Sequence, residues 1–278
     1  MSLAAVLALS SCAVQPGLPV AQVAAGESYI ATDSAAAAAA CRRAMSAAAP
    51  NDADYIDTGQ IRIGVWNLQK STTPGWEADF RDLADSADLL LLQEASLDGA
   101  TVDELGAGRH WSFSAGYRTS RVLTGVVTLS AVAPIVHCSL VSAEPLLRTP
   151  KATSIVRFRL GTEGDTLVVA NVHAVNFSLG NGAFRRQFAQ LAEALGEHEG
   201  PLIVAGDFNT WRPARTGIVE NFAAELGLTA VAFADDRRSQ VFGRPLDHVF
   251  VRGLRALTAG ATAVTTSDHN PLDVTLAP

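Results

Sequence analysis

Eight residues carry side chains suited to reaction chemistry: Asn67, Glu94, His173, Asp207, Asn209, Asp247, Asp268 and His269. Carboxylates, amides and imidazoles are the groups that hold hard cations, donate hydrogen bonds to anions and move protons. Singly, most have a plain structural reading: Asn67 suits a strand-end turn, and Asp207-Phe208-Asn209 an Asx turn. Their placement argues for more. Asn67 follows the apolar run 61–66, Glu94 follows 89–92, His173 follows 167–172, and Asp207 and Asn209 follow 202–206. Asp247 opens 249–251, and Asp268 and His269 precede the last run. Rigid strands that deliver polar groups at their ends hold a site with little freedom.

The elements behind this pattern are short apolar runs alternating with longer amphipathic ones. Segments 61–66, 88–92, 125–129, 155–160, 167–172, 201–205, 246–251 and 272–276 read as strands bounded by polar, Gly or Pro signals. Phe184, Phe188, Leu191, Ala192 and Leu195 recur at helical spacing and predict a helix over 183–197, with further helices over 76–86 and 213–226. With no repeat and no second boundary after residue 60, these form one α/β domain of packed layers, residues 59–278.

Three motifs, "QE" (Gln93, Glu94), "GDFN" (206–209) and "SDHNP" (267–271), are similar in kind and order to those of the endonuclease/exonuclease/phosphatase superfamily, the DNase I-like proteins. The resemblance covers about residues 60–277. "GVVTLS" (125–130), Pro150-Lys151, "NVHAVNFSLG" (171–180) and "FGRPLD" (242–247) resemble a bacterial YafD-like branch. The resemblance implies a four-layer sandwich, two packed mixed or antiparallel sheets flanked by helices, with Mg2+ or Mn2+ at one end.

It also implies roles. Asn67, Glu94 and Asp268 are the expected metal ligands, and their hard oxygens suit magnesium. Asp207 would orient or deprotonate the attacking water, and Asn209 would donate to a phosphoryl oxygen. His173 and the substrate-binding Asn176 would hold the remaining oxygens. Asp247 would orient His269 and favour its imidazolium; whether Asp207 or His269 is the base stays open. Lys151, Arg185 and Arg186 are further candidate phosphate contacts, and Trp211 a candidate groove residue. His248, His110, His137 and His198 read as packing or surface residues. Between the "QE" strand and the next motif, Tyr117, Arg118 and Arg121 are equal candidates for a further family position.

Composition bounds the rest. The 278 residues are 48% hydrophobic, enough for a substantial core, and carry a net charge of -7 with 19 arginines and two lysines. That balance argues against a protein that grips duplex DNA through a broad basic face. The first sixty residues read as a signal segment with a lipobox, Leu9-Ser10-Ser11-Cys12, over 1–12 and a low-complexity leader over 13–58. Lipidation of Cys12 would tether an exported protein to a membrane; otherwise Cys12 is an ordinary thiol and the protein cytoplasmic. Export would also allow Cys41 and Cys138 to form a disulfide. The chain is expected to act as a monomeric, divalent-metal-dependent hydrolase of phosphodiesters, nucleic acid first, with a phosphatase or phosphodiesterase of a lipid or small soluble ester as the alternative. A catalytically silent binding module on the same fold is the third reading.

Overall fold

Four consecutive leucines, Leu89 to Leu92, lack polar alternation because both faces of their strand are covered. Leu89 and Leu91 join a core between two sheets with Ile63, Val169 and Ile203. Leu90 and Leu92 face outward onto Phe80, Leu83 and Trp66. The computed structural model describes residues 34–47, 53–97, 101, 104–105, 108–118, 122–146 and 149–278, with the backbone of 15–16 and 27–29. Residues 9–12, including Cys12, and Arg121 lie outside the described residues.

One sheet runs β1 (Gln15–Pro16), β6 (His110–Arg118), β7 (Leu123–Ser130), β5 (Leu89–Ser96), β4 (Ile61–Asn67), β17 (Leu272–Ala277) and β16 (Arg255–Ala261). The other runs β12 (Thr229–Ala230), β15 (Asp247–Arg252), β11 (Leu202–Asp207), β10 (Asp165–His173), β9 (Lys151–Leu160), β8 (Val136–Ser142) and β2 (Glu27–Tyr29), with β3 (Tyr55–Ile56) also on β9. A small hairpin, β13 (Gln240–Val241) and β14 (Arg244–Pro245), stands apart. The helices that flank the sheets include α1 (Ser34–Ser46), α2 (Trp76–Ser86), α3 (Gly182–Leu195) and α4 (Pro213–Glu225).

Alternation within the strands sorts side chains into layers. Ile203 and Ala205 of β11 face the inter-sheet core. Leu202 and Val204 face α3 and α4 through Phe188, Leu191 and Phe222. The α2 helix covers the first sheet from outside. The result is the four-layer α/β sandwich with mixed sheets and flanking helices.

Part of the segment read as leader is built into this sandwich. Ala37, Ala38, Cys41, Ala44 and Met45 of α1 are buried with Cys138 and Phe184, the alanines allowing close approach. The buried Arg157 of β9 donates to the carbonyls of Met45 (3.0 Å) and Ala47, satisfying the C-terminal end of α1. Cys41 and Cys138 are free thiols. A hydrogen bond with Cys138, together with burial, pushes the Cys41 thiol far up.

Strands β6, β8 and β16 were not anticipated. In β6 and β8 the buried polar residues satisfy one another: Ser114 Oγ lies 3.0 Å from His137 Nε2 and 2.7 Å from Ser139 Oγ, which conceals the apolar period. The β16 strand is largely exposed and has few apolar positions to betray it.

Candidate active site

Register places the site. In the parallel pair β10–β11, His173 lies opposite Asp207, and in the antiparallel pair β11–β15, Asp207 lies opposite Asp247. In the other sheet the parallel pair β4–β5 aligns Asn67 with Gln93. Both sheets therefore deliver polar residues to one end of the sandwich. Gln93 ties the sheets together: its Nε2 donates to Asn171 Oδ1 at 2.7 Å, and Asn171 Nδ2 donates to the Leu92 and Val127 carbonyls at 3.2 and 2.9 Å.

Asp207 is the centre of the cluster. Its Oδ2 accepts from Asn67 Nδ2 at 3.1 Å and Asn209 Nδ2 at 3.2 Å, and its Oδ1 from the Asn209 backbone N–H at 2.9 Å. His173 Nε2 lies 3.6 Å and His269 Nε2 3.9 Å from Oδ2. Burial raises the Asp207 carboxyl to about 6; the nearby His269 charge opposes that rise and Asp247 adds to it. Asn209 adopts a positive φ of 50° to make the Asx turn, a conformation asparagine tolerates.

His269 Nδ1 sits 2.8 Å from Asp247 Oδ2 and 3.1 Å from Oδ1. Burial opposes its positive charge, but Asp247 and Asp207 outweigh burial and hold the imidazole at about 10. Trp66 Nε1 donates to the His269 carbonyl at 2.8 Å, and Ser267 Oγ donates to the Asn67 carbonyl at 2.7 Å, fixing the loop that carries Asp268 and His269 against β4.

Glu94 stands at the edge of this cluster with a left-handed φ of 49°, an uncommon conformation that functional sites concentrate. The only two lysines of the chain converge on it. Lys70 Nζ lies 2.6 Å from Oε2 and Lys151 Nζ 3.6 Å from Oε1. Burial opposes the Glu94 charge, but the ammonium groups of Lys151 and Lys70, with the His173 ring close by, hold its carboxyl at about 2. Lys151 Nζ, itself buried, also lies 3.0 Å from His173 Nε2. An ammonium can only donate, so that ring nitrogen accepts and His173 carries its proton on Nδ1. Burial first, and Lys151 second, push the His173 pKa well below its usual value.

The predicted site residues are thus distributed unevenly. Asn67, His173, Asp207, Asn209, Asp247 and His269 are buried together, Glu94 is half-buried beside them, and Asp268 is exposed at the rim. Asn176 lies farther out, where its Oδ1 accepts from Trp211 Nε1 at 2.9 Å. Tyr117 lines a small pocket with Glu94, Thr124, Lys151 and His173, whereas Arg118 ends β6 in solvent. His248 packs on Phe208 and Phe250 and bonds Thr210, and His137 and His198 are buried, bonded side chains. Arg185 and Arg186 are exposed on the first turn of α3.

Three residues at the site escaped the sequence reading. Lys70 carried a signal, being one of two lysines among 19 arginines. Glu144 carried none: it is buried and accepts from the Asn176 and Phe177 backbone N–H groups at 2.8 and 2.6 Å. Arg215, also buried, donates to the Val175 and Asn209 carbonyls, both at 3.0 Å, locking the loop after His173 to the loop after Asp207.

Asp207, Asp247 and His269 bring potential ligand atoms within 4.8 Å of one another. The His269 imidazole is already bonded to Asp247, and the two carboxylates favour its charged form, which suits the trio to proton handling. Glu94, Asp268 and Asn67 offer oxygen donors of the kind that suits a hard cation, and Glu94 is held ionised. Glu94 pairs with the Lys70 ammonium at 2.6 Å, and the more distant Asp268 also acts electrostatically on that ammonium. The residues fit a hard divalent ion.

Two mixed sheets packed face to face, with strand ends from both converging on a buried aspartate and a carboxylate–imidazolium pair, define a DNase I-like sandwich. The chain belongs to the Endonuclease/Exonuclease/phosphatase family, whose model matches residues 64–269. Members of this family hydrolyse phosphoester bonds. A UPF0294 protein of Yersinia pseudotuberculosis is 39% identical over 223 residues, covering 78% of this chain and 84% of that relative. One from Klebsiella pneumoniae is 38% identical over 224 residues, covering 79% and 83%. Among solved structures, an endonuclease/exonuclease/phosphatase family protein from Bacteroides thetaiotaomicron superposes with a TM-score of 0.62 at 16% identity, covering 78% of this chain and 94% of that one. The human Nocturnin catalytic domain superposes with a TM-score of 0.59 at 18% identity, covering 82% and 98%.

Proposed function

We propose that this protein is a divalent-metal-dependent phosphodiesterase. The observation that carries the reading is the environment of Asp207. This buried carboxylate, raised to about 6, is oriented by Asn67 and Asn209 and faces an imidazolium that Asp247 stabilises. Glu94, Asp268 and Asn67 would hold Mg2+ or Mn2+, which supplies charge stabilisation at the phosphoryl group and leaving oxygen. Asp207 orients the attacking water and accepts its proton. His269, charged, stabilises negative charge gathering on the phosphoryl oxygens. The Asn209 amide, aimed by its left-handed backbone, donates to one of those oxygens after exchanging its bond to Asp207. His173, with its proton on Nδ1, is held in one orientation by Lys151.

A second reading, a lipid phosphoester as substrate, is favoured by the apolar side chains exposed around the site. A silent binding module is disfavoured because every member of the eight-residue set is present. The test is incubation of the purified chain with Mg2+, Mn2+ or EDTA and a panel of plasmid DNA, RNA, sphingomyelin, inositol phosphates and bis-p-nitrophenyl phosphate. Metal-dependent release from at least one diester is expected; no turnover of any panel member with either metal would overturn the reading.

A further inference from the structure

Two loops flanking the site expose large apolar side chains. Leu179 is 85% exposed and Phe177 49%, both on the loop after His173. Phe242, 84% exposed, sits at the tip of the β13–β14 hairpin that leads to Asp247, with a left-handed φ of 52°. A bulky aromatic at such a position is disfavoured, and nothing in the fold needs it there. Trp211, on the loop after Asn209, joins the two: its ring centroid is 6.5 Å from that of Phe242, and its Nε1 donates to Asn176.

The base of this patch is rigid. Glu144 holds the backbone of Asn176 and Phe177, and Arg215 lies under Trp211 at 4.8 Å while bonding the carbonyls of Val175, Asn176 and Asn209. Phe177 and Trp211 therefore stand on bonded supports.

The charge around them is one-sided. Residues 176–186, 210–217 and 239–246 contain Arg185, Arg186, Arg212, Arg215 and Arg244 and no Asp or Glu, in a protein of net charge -7. Arg185, Arg186 and Arg212 are exposed, and Arg212 lies 4.0 Å over the Trp211 ring. Apolar tips with exposed arginines on the same segments match a bilayer of anionic phospholipid, where tips enter the headgroup–acyl boundary and guanidinium groups meet phosphates. A single-stranded nucleic acid would use the aromatics and the arginines but not Leu179 or Val241, since stacking needs a ring.

We propose that this rim, Phe177, Leu179, Trp211 and Phe242 with Arg185 and Arg212, docks the mouth of the site onto an anionic membrane surface, so that the phosphoester it cleaves is a lipid headgroup. The substrate part rests on the phosphoester hydrolase reading; the docking does not.

The experiment is co-sedimentation of the full chain, in EDTA, with vesicles of phosphatidylcholine alone or mixed with phosphatidylglycerol. The mixed vesicles should retain the protein and the neutral ones should not. Leu179→Ser with Phe242→Ser should lower retention by about tenfold or more at an unchanged melting temperature, because two apolar side chains no longer leave water. Arg185→Glu with Arg212→Glu should abolish the preference for phosphatidylglycerol. Failure of wild type to sediment with mixed vesicles would overturn the proposal, as would equal retention of the serine variant. So would binding of a labelled single-stranded oligonucleotide in place of vesicles, or light scattering showing that the patch pairs two copies. Hydrolysis of the phosphoester panel with Mg2+ or Mn2+ is assayed separately: vesicle binding without cleavage of any member removes the hydrolase reading and leaves docking, and cleavage without binding does the reverse.

Discussion

His269 Nδ1 lies 2.8 Å from Asp247 Oδ2, although 22 positions separate the residues and they reach the site on different elements. Asp247 opens the β15 strand beside Asp207, whereas His269 comes from the loop before β17 in the other sheet. The pair therefore spans the two sheets at the end that holds the candidate site, and if it acts as a unit each partner is useful only while the other is present. His269→Ala should lower turnover by about 10²- to 10⁴-fold, the scale of a positioned acid or base. Asp247→Asn should lower activity and move the pH profile to lower pH, since the amide no longer favours the imidazolium. The double variant should be little worse than His269→Ala, because residues acting as a unit lose their contribution once. Measuring kcat/KM across pH for both singles and the double checks this; multiplicative losses would separate the two roles.

Glu94→Gln should remove metal-dependent turnover without altering the circular dichroism spectrum. It deletes the charge at nearly constant volume and leaves Lys70 and Lys151 without their carboxylate partner. EDTA should do the same to wild type. Full activity of the variant at low Mg2+ would contradict the ligand assignment.

Lys151→Met should raise the pKa of His173, because after burial Lys151 is the largest influence holding it neutral. Burial alone should still keep it below the ordinary histidine value. The imidazole nitrogen shifts of His173, followed by NMR through a pH titration, report this directly; an unmoved titration would assign the whole effect to burial.

Burial holds both His137 and His248 at about 4. Between pH 6.5 and 4 the unfolded chain binds protons that these folded imidazoles refuse, so their contribution to stability is intact above 6.5 and declines as pH falls through that window. Each can cost up to about 1.4 kcal/mol per pH unit there. His269 has the opposite sign: raised to about 10, it contributes stability that is complete below 6.5 and lost as pH rises through 10. Urea unfolding at several pH values should therefore show an acid-side slope that His137→Gln reduces, since glutamine can bond Ser114 but does not titrate.

Arg157→Met should loosen α1. The carbonyls of Met45 and Ala47 would lose their donor, at about 1–3 kcal/mol for groups left unsatisfied. Proteolysis should then cut near residue 47 faster than in wild type; an unchanged rate would show that α1 is held by its alanine face alone.

What was legible in the sequence was local. Fully apolar runs such as Leu89 to Leu92 mark strands buried on both faces, and Trp76–Ser86 has the same limits in the structure as in its apolar spacing. The polar residues at the ends of those runs belong to one site because the C-terminal ends of β4, β5, β10 and β11 and the N-terminal ends of the antiparallel β15 and β17 lie at one edge of the sandwich. Other contacts depend on distances that no local pattern encodes. Lys70, in a left-handed turn after β4, and Lys151, at the start of β9, belong to different sheets and meet on Glu94 only when the sheets pack. The alanine run of α1 reads as low complexity, because the surface it buries against, Cys138 and Phe184, lies more than ninety residues away along the chain. Strand ends and motifs announce the groups that do the chemistry, but their partners are chosen by packing, since a hydrogen bond or an apolar contact depends on proximity in space and not on separation in sequence.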